Sequence, residues 1–98
     1  MLRDFFLGFI KIHILHHASE EDICGVEIID ELKRHGYKLS PGTLYPTLHS
    51  LEKSGYLKSR GIVENGRIRK YYRITSKGKR ALEKSKDKMK ELVKEVVE

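Results

Sequence analysis

The spacing of apolar and polar residues along the 98-residue chain predicts four helices and one β-hairpin. Residues 5–16 are apolar on nearly every side of a helix, which is typical of a helix covered from two directions. Residues 19–22 are polar and acidic and can start a second helix, which Gly36 would end as its C-terminal cap. The helically spaced apolar residues of this second helix are Ile23, Val26, Ile29 and Leu32.

The third predicted helix carries the clearest start signal in the chain. Ser40 is a favoured N-cap residue, and Pro41 suits the first helical position. Leu44, Leu48 and Leu51 recur at helical spacing, so this face should enter the core. The opposite face is polar and free of acidic residues, and it carries Gly42, Thr43, Pro46, His49, Ser50 and Lys53, with Tyr45 at its border.

Pro46 lies inside this third helix, where a proline removes one backbone hydrogen-bond donor. Two interpretations follow from the sequence. In the first, the proline only kinks or tightens the helix; in the second, the kink aims Thr43 and Tyr45 at a ligand. Because irregularity of a helix does not by itself identify a contact, both interpretations stay open.

A β-hairpin is expected between residues 57 and 74, because Asn65-Gly66 is a preferred pair for a two-residue type I′ turn. This turn would fix the register of the two strands. The expected partners across the strands are Glu64 and Arg67, Val63 and Ile68, Arg60 and Tyr71, and Leu57 and Ile74.

Strand alternation in this register separates an apolar face of the hairpin from a basic face. The apolar face carries Leu57, Val63, Ile68, Tyr72 and Ile74. The basic face carries Lys58, Arg60, Arg67, Arg69, Tyr71 and Arg73. Ile62 and Lys70 fall on the wrong sides, but a one-residue slip would mix the faces far more. Of the adjacent tyrosines, Tyr71 is expected to point outward and Tyr72 into the core.

The last helix is expected to begin after Thr75-Ser76, which can cap it. Its apolar seam contains Leu82, Met89 and Val96, seven residues apart, with Leu92, Val93 and Val97 beside them. We expect this seam to pack on the first helix, on a second copy of the chain, or on both. The predicted dimer interface comprises Phe5, Phe6, Phe9, Met89, Leu92, Val93 and Val96.

The net charge of +6 is concentrated in the middle of the chain. Residues 1–35 have four lysines and arginines against seven acidic residues, residues 36–80 have eleven against two, and residues 81–98 have five of each. A localised basic surface attracts polyanions through phosphate contacts and counterion release, so nucleic acid is the leading partner. The alternative is a solvated basic face without a partner.

Composition and motifs argue against several other classes of protein. The single cysteine, Cys24, cannot form an intrachain disulfide, and no secretory signal is recognisable, so we expect a cytoplasmic protein. The apolar run of residues 5–15 is too short to span a membrane, and no membrane contact is expected. Nucleotide-binding and hydrolase motifs are missing, so neither an enzymatic activity nor a cofactor is predicted.

Histidines raise the question of a metal ion, because His13, His16 and His17 lie on neighbouring positions of the first helix. Neither a cysteine nor a nearby carboxylate completes an obvious ligand set. Packing or interface roles are therefore expected for these histidines, and no metal site is predicted. Cys24 is expected to be a structural thiol, because its acidic surroundings would not stabilise a thiolate.

The order of these elements predicts a mainly α fold with a small β-hairpin (α+β), in the form of a winged helix-turn-helix. The DNA-binding domain would span residues 1–75. Residues 76–98 would form a C-terminal dimerisation helix that packs with the N-terminal helix. In such a fold the third helix can enter the major groove of DNA, and the hairpin can follow the backbone or reach the minor groove.

Two segments carry a resemblance to a known family. LSPGTLYPTLHSLEKSGYL at residues 39–57 and GRIRKYYRITSKG at residues 66–78 resemble the PadR family of transcriptional regulators. The resemblance implies a cytoplasmic homodimer that represses transcription and often releases DNA when a small molecule binds near the dimer interface. It assigns Thr43, Tyr45 and Pro46 to the recognition-helix motif, and the wing motif comprises Gly66, Arg67, Lys70 and Tyr71. The family's use of a tryptophan on the last helix to stack on planar ligands has no counterpart here, because the chain lacks tryptophan.

The leading hypothesis is therefore a homodimeric, PadR-like repressor that binds double-stranded DNA at a near-palindromic operator, with a small-molecule effector as a further partner. The cations expected mostly to neutralise phosphates are Lys53, Arg60, Arg67, Arg69 and Arg73. The polar residues of the third helix, Thr43, Tyr45, His49 and Ser50, are expected to contact base edges or nearby phosphates. The alternative is a winged-helix module that binds proteins through its acidic second helix. The residues expected to contact DNA are Ser40, Thr43, Tyr45, Pro46, His49, Ser50, Lys53, Arg60, Arg67, Arg69, Lys70, Tyr71 and Arg73.

Overall fold

The computed structural model describes residues 1–98 and contains four α-helices and a three-stranded antiparallel sheet. The elements in chain order are α1 (Leu2–Glu20), β1 (Ile23–Cys24), α2 (Gly25–Arg34), α3 (Pro41–Lys53), β2 (Leu57–Glu64), β3 (Arg67–Ile74) and α4 (Ser76–Leu92). The segment Val93–Val97 adds a π-helical turn to the end of α4. The α+β fold predicted from the sequence is confirmed.

The hairpin formed by β2 and β3, together with its turn, is called the wing below. All four pairs of residues expected from the turn are present. Asn65 and Gly66 have φ angles of 50° and 75°, the positive values that a type I′ turn requires. Tyr72 is buried, and Tyr71 lies on the opposite face of the wing, as alternation predicts.

The start of the second helix was wrongly predicted. Ser19 and Glu20 belong to the end of α1, and the segment Ile23–Cys24 forms the edge strand β1. Helix α2 begins only at Gly25. Because β1 is held by pairing with Tyr72 and its neighbour, far along the chain, the local apolar pattern could not distinguish this strand from a helical turn.

The buried face of α2 also differs from its prediction. Gly25, Ile28 and Leu32 are buried, whereas Val26 is half exposed and Ile29 is only partly buried. The predicted helical pattern began at Ile23, which belongs to strand β1. The face expected to be buried was therefore rotated away from the residues that enter the core. Cys24 is buried just before the helix, and its N–H donates to Glu27 Oε1 at 3.0 Å.

Helices α2 and α3 end in the same way, at glycines in the left-handed conformation. Gly36 has a φ angle of 87° and Gly55 one of 82°. The N–H groups of Gly36 and Tyr37 donate to carbonyls in the last turn of α2, and those of Gly55 and Tyr56 do the same for α3. These Schellman motifs set the direction in which the chain leaves each helix. They direct it from α2 into α3 and from α3 into the wing.

The core lies where α1, α2 and α3 meet the base of the sheet. The three leucines of α3 face inward, as their spacing predicts, and Leu82 is the core residue of α4. The core comprises Ile10, Ile14, Leu15, Ala18, Ile23, Ile28, Leu32, Leu44, Leu48, Leu51, Leu57, Tyr72, Ile74 and Leu82. This cluster holds α3 and the wing in a fixed relation to each other.

Helices α1 and α4 lie side by side and share a cleft lined by Phe9, Ile12, Leu82 and Met89, among others. The molecule is elongated, with extents of 52 × 29 × 20 Å. None of its helices combines the length and the apolar character that crossing a bilayer requires. Large apolar side chains stay exposed at the start of α1 and the end of α4, namely Leu2, Phe5, Phe6, Leu92, Val93, Val96 and Val97.

Candidate nucleic-acid interface

Helix α3 presents the acid-free polar surface that its sequence pattern predicts. The carbonyl of Ser40 accepts from the N–H of Leu44 at 2.9 Å and starts the helix. The hydroxyl of Ser40 makes no cap bond to the backbone and instead donates to Thr43 Oγ1 at 3.3 Å. The exposed residues of this surface are Ser40, Tyr45, Pro46, His49, Ser50 and Lys53, and Thr43 is half-buried.

Pro46 does not interrupt α3, which continues from Pro41 to Lys53. Because proline has no N–H, the carbonyl of Gly42 receives no helical hydrogen bond from residue 46. At the next position, the hydroxyl of Thr47 donates to the carbonyl of Thr43 at 2.8 Å. The helix thus accommodates its proline on the exposed side, where the missing donor leaves a carbonyl available to water or to a ligand.

Glu52 joins α3 to one face of the wing. Its Oε2 accepts from the N–H of Ser59 at 3.2 Å and from the hydroxyl of Ser59 at 2.5 Å. Ser59 is opposite the buried Tyr72, so the face turned toward α3 is the one predicted to be apolar. Lys70, opposite Gly61, lies on this same face. Its departure from the alternation therefore places a cation on the side of α3.

A groove of about 720 Å³ separates α3 from the tip of the wing. Its lining includes Tyr45, His49 and Glu52 from α3, Gly25 and Val26 from α2, and Glu64, Asn65, Arg67, Ile68, Arg69 and Lys70 from the wing. The ion pairs of the wing engage Arg60, Arg69 and Arg73 and leave Arg67 and Lys70 free. Three cations of the wing thus line the groove: Lys70 lies on the face turned toward α3, and Arg67 and Arg69 lie on the other face at the tip of the wing.

Arg60 and Arg73 lie on the face of the wing that points away from α3, and both bind Asp22. Arg60 is 2.9 Å from Asp22 Oδ2, and Nε of Arg73 donates to Asp22 Oδ1 at 2.7 Å. The hydrogen bond from Arg73, together with the positive charges of both arginines, lowers the pKa of the Asp22 carboxyl. These two predicted DNA contacts are therefore engaged with the connection between α1 and β1, and the sequence pattern contains no sign of this partner.

Glu64 orders a second pair of wing residues. The hydroxyl of Tyr71 donates to Glu64 Oε1 at 2.7 Å, and Nε of Arg69 lies 3.7 Å from Glu64 Oε2. The hydrogen bond to Glu64 raises the pKa of Tyr71. Tyr71 and Arg69 are therefore held along the wing by the one carboxylate at its tip, which sequence reasoning had not singled out.

Tyr45 is positioned by a close approach between α2 and α3. A Cβ atom at Gly25 would lie 2.7 Å from the hydroxyl oxygen of Tyr45, closer than real contacts allow. Glycine at this position lets the ring of Tyr45 lie over the first turn of α2 while half of the side chain stays exposed. Gly25 thus fixes the orientation of one residue that the sequence assigned to the interface.

These elements define a class of protein. A helix with an acid-free polar surface lies beside a basic hairpin, and both are held by a core of three helices and a short edge strand. This is the winged-helix architecture of DNA-binding proteins, in which the third helix enters the major groove and the wing contacts the backbone or the minor groove.

Comparison with known proteins narrows the class to a family. Residues 14–84 match the Transcriptional regulator PadR-like family. The chain is 46% identical over 96 residues to Transcriptional regulator Rv3488 of Mycobacterium tuberculosis, an alignment that covers 98% of this chain and 90% of that protein. The chain belongs to the PadR-like family of transcriptional regulators. Both names denote a regulator of transcription and not an enzyme.

Solved structures agree with this assignment. A PadR-like transcription factor from Bacteroides fragilis superposes with a TM-score of 0.87 at 29% identity, covering 96% of this chain and 92% of that one. Bacillus subtilis PadR, determined in complex with operator DNA, superposes with a TM-score of 0.71 at 22% identity, covering 78% of this chain and 46% of that one. The second similarity concerns the fold alone.

Proposed function

We propose that this regulator represses transcription as a homodimer that binds a near-palindromic operator through α3 and the tip of the wing. The observation that carries the proposal is the groove between α3 and the tip of the wing, whose lining includes Arg67, Arg69 and Lys70 together with Tyr45 and His49. Bacillus subtilis PadR, which shares the fold, was determined bound to operator DNA. A two-fold symmetric dimer would place its recognition helices in successive major grooves, about 34 Å apart.

Within this interface, charge and exposure suggest different roles for the residues. Three cations are exposed and free of ion pairs, namely Arg67, Lys70 and Lys53. They can therefore neutralise phosphates without first breaking an ion pair with a carboxylate. Such contacts set affinity and salt dependence rather than sequence preference. The candidates for base edges are the polar residues of α3, namely Thr43, Tyr45, His49 and Ser50, with Ser40 at the start of the helix and Pro46 inside it.

The remaining basic residues of the wing contribute less directly. Arg60 and Arg73 are bound to Asp22 on the face away from α3, and Arg69 and Tyr71 are held by Glu64. We assign Arg60 and Arg73 mainly to the positioning of the wing. Arg69 and Tyr71 are assigned to backbone contacts at its tip, where the carboxylate of Glu64 offsets the positive charge of Arg69.

Salt dependence of DNA binding tests this assignment. Arg67→Ala and Lys70→Ala should each weaken binding to all duplexes and flatten the plot of log affinity against log salt concentration by about 0.9, as expected for one lost phosphate contact. Lys58→Ala is the matched control, because Lys58 is exposed and lies opposite Arg73 at the base of the wing, away from its tip. The measurement is a fluorescence-anisotropy titration of DNA from the chain's own upstream region at several salt concentrations.

Three results would count against the interface. An unchanged slope in both wing variants removes the wing tip from the phosphate contacts, and an equal loss in Lys58→Ala indicates nonspecific attraction. Absence of any binding at low salt would favour a protein-interaction module that uses the acidic second helix. The structure offers less acidic surface there than the sequence suggested, because Asp22 binds arginines, Glu27 caps α2 and Glu31 pairs with Arg34.

We further propose that a small-molecule effector, where one acts, binds the cleft between α1 and α4. The cleft has a volume of about 270 Å³ and its lining includes Phe9, Ile12, Leu82 and Met89. This volume is near the lower limit of small-molecule pockets, about 300 Å³. A ligand in this position would act on the two helices that the proposed dimer uses and could change the distance between its recognition helices.

A further inference from the structure

We propose that His13, His17 and His35 form a binding site for a divalent transition-metal ion, with Zn²⁺ as the representative ion. His13 and His17 belong to α1, and His35 caps the end of α2. One ligand nitrogen of each ring lies within 4.8 Å of those of the other two. Nitrogens bound to one tetrahedral zinc ion lie about 3.3 Å apart, since a Zn–N bond is about 2.0–2.1 Å long. Small side-chain rotations would therefore bring all three onto one ion.

The spacing of the two histidines on α1 suits a metal ion. His13 and His17 are one helical turn apart and so share a face of the helix. Their rings are nearly parallel, at 15°, with centroids 6.3 Å apart. Histidine pairs at this i, i+4 spacing are the zinc-binding unit of many metalloprotein helices. The ring of His35, with its centroid 5.2 Å from that of His13, supplies a third ligand from a second helix.

The surroundings of His17 suit a bound cation. Its Nε2 is buried and has no hydrogen-bond partner, which is unusual for a buried polar atom. The carboxylate of Glu31 lies 3.9 Å from this nitrogen, and that of Glu20 lies 3.7 Å from Nδ1 on the other side of the ring. A ring with one nitrogen directed to a cation and the other to a carboxylate is the common arrangement of metal-bound histidine.

The site is also held in place before any ion binds. The Schellman motif at Gly36 fixes the backbone of His35, and Phe9 and Tyr37 pack against the ring of His13 with centroid distances of 5.0 and 5.9 Å. Burial, followed by the neighbouring histidines, lowers the pKa of His13. The neutral ring that binds metals is thereby favoured.

This proposal replaces the expectation, drawn from the sequence, that the histidines of α1 only pack. The sequence showed no completing ligand near α1, because His35 is eighteen residues beyond His17 and is brought close only by the packing of α2 on α1. The metal site does not depend on the proposed DNA interface. Its occupation would link α1 to the short segment that leads into α3.

Metal titration of the purified chain, without an affinity tag and freed of metal by a chelator, tests the proposal. Isothermal titration calorimetry with ZnCl₂ should show binding of about one zinc ion per chain. His35→Gln and His13→Gln should each weaken binding at least about tenfold, since loss of even an outer-shell partner costs about 10–100-fold. With CoCl₂, the visible absorption of tetrahedral Co²⁺ should appear in the wild type and be lost in His35→Gln.

His49→Gln is the matched control, because His49 is an exposed histidine on α3, and it should bind Zn²⁺ like the wild type. His16→Gln separates the proposed site from a second set of nearby ligands, His16, His17 and Glu20. Loss of binding in His16→Gln with full binding in His35→Gln would overturn the proposal. So would failure of the wild type to bind, wild-type affinity in both His35→Gln and His13→Gln, or an equal loss in His49→Gln. Circular dichroism would establish that each variant is folded, and replacement of the exposed His35 leaves the core unchanged.

Discussion

Among the glycines, Gly78 has the tightest surroundings. A Cβ atom at this position would lie 2.3 Å from the carbonyl oxygen of Tyr56 and 2.7 Å from the side chain of Ile74. That carbonyl accepts a hydrogen bond from the N–H of Thr75, and the hydroxyl of Thr75 in turn accepts from the N–H of Gly78 at 3.0 Å. Glycine is required here because α4 starts in direct backbone contact with the base of the wing.

We therefore expect Gly78→Ala to lower the free energy of unfolding by about 1–3 kcal/mol, the usual cost of forcing an extra carbon into a packed site. The gain in helix propensity, about 1 kcal/mol, would offset only part of the clash. Gly42→Ala is the control, because Gly42 also lies in the first turn of a helix but has only one ordinary contact, at 3.8 Å. Urea denaturation at fixed protein concentration would measure both variants. Equal stability of Gly78→Ala and the wild type would contradict the packing described here.

Residue roles could be predicted where they depend on neighbours in sequence. Alternation placed Tyr72 in the core and Tyr71 outside, and both assignments are confirmed. The partners of Arg60 and Arg73 could not be predicted, because Asp22 is brought to them only by the fold. The close approach of Gly25 to Tyr45 could not be predicted either, because it depends on the packing of α2 against α3. The proximity of the histidines of α1 to His35 at the end of α2 likewise depends on the fold.

At the scale of elements, the wing was the most predictable part of the molecule. The two-residue turn at Asn65-Gly66 determines the register locally, and the observed pairs are those expected. Strand β1 was missed because two residues have no periodicity and are stabilised by β3, far along the chain. An error in one short element then shifted the predicted start and face of α2.

Asp22 connects elements that are distant in sequence, and its charge should contribute to stability in a pH-dependent way. Its pKa is lowered in the folded protein. The stabilisation is therefore fully present above the unfolded value of about 3.9 and is lost as the pH falls through the lower folded value. Asp22→Asn should be less stable than the wild type at pH 7 by about 1 kcal/mol, the upper range for exposed ion pairs. This difference should shrink as the pH approaches 3 and below.

Thermal unfolding of both proteins between pH 7 and pH 2.5 provides the measurement. Asp30→Asn serves as the control, because Asp30 is exposed on α2 and forms no ion pair; its stability should follow that of the wild type at every pH. A difference between wild type and Asp22→Asn that stays constant with pH would show that the carboxylate does not act through its charge.

For the whole molecule, the uneven distribution of apolar surface supports self-association. The exposed apolar side chains at the start of α1 and the end of α4 include Phe5, Leu92 and Val96. Groups of exposed large apolar side chains are typical of interfaces. The half-buried Phe9 and Met89 continue this surface toward the core. Such a surface fits the proposed homodimer, whose two copies would bury these residues against each other.

Val96→Asp and Leu92→Asp should therefore yield monomers, because each would place an uncompensated charge in the proposed apolar interface. Multi-angle light scattering would determine the mass, with 11.4 kDa expected for the monomer. Val63→Asp is the control, because Val63 is equally exposed but lies near the tip of the wing, and it should stay dimeric. A dimer that persists in both α4 variants would exclude this seam as the interface.

The close backbone contact at Gly78 gives α4 the mechanical properties of a lever. Helix α4 has 17 residues, a length of about 25 Å, and it is anchored at one end to the base of the wing. A rotation of about 10° at that anchor would displace the far end by roughly 4 Å, more than the 3.4 Å rise of one base pair. In the proposed dimer, a small angular change at the contact between Gly78 and the carbonyl of Tyr56 would thus be enough to move the two recognition helices into or out of alignment with their half-sites on DNA.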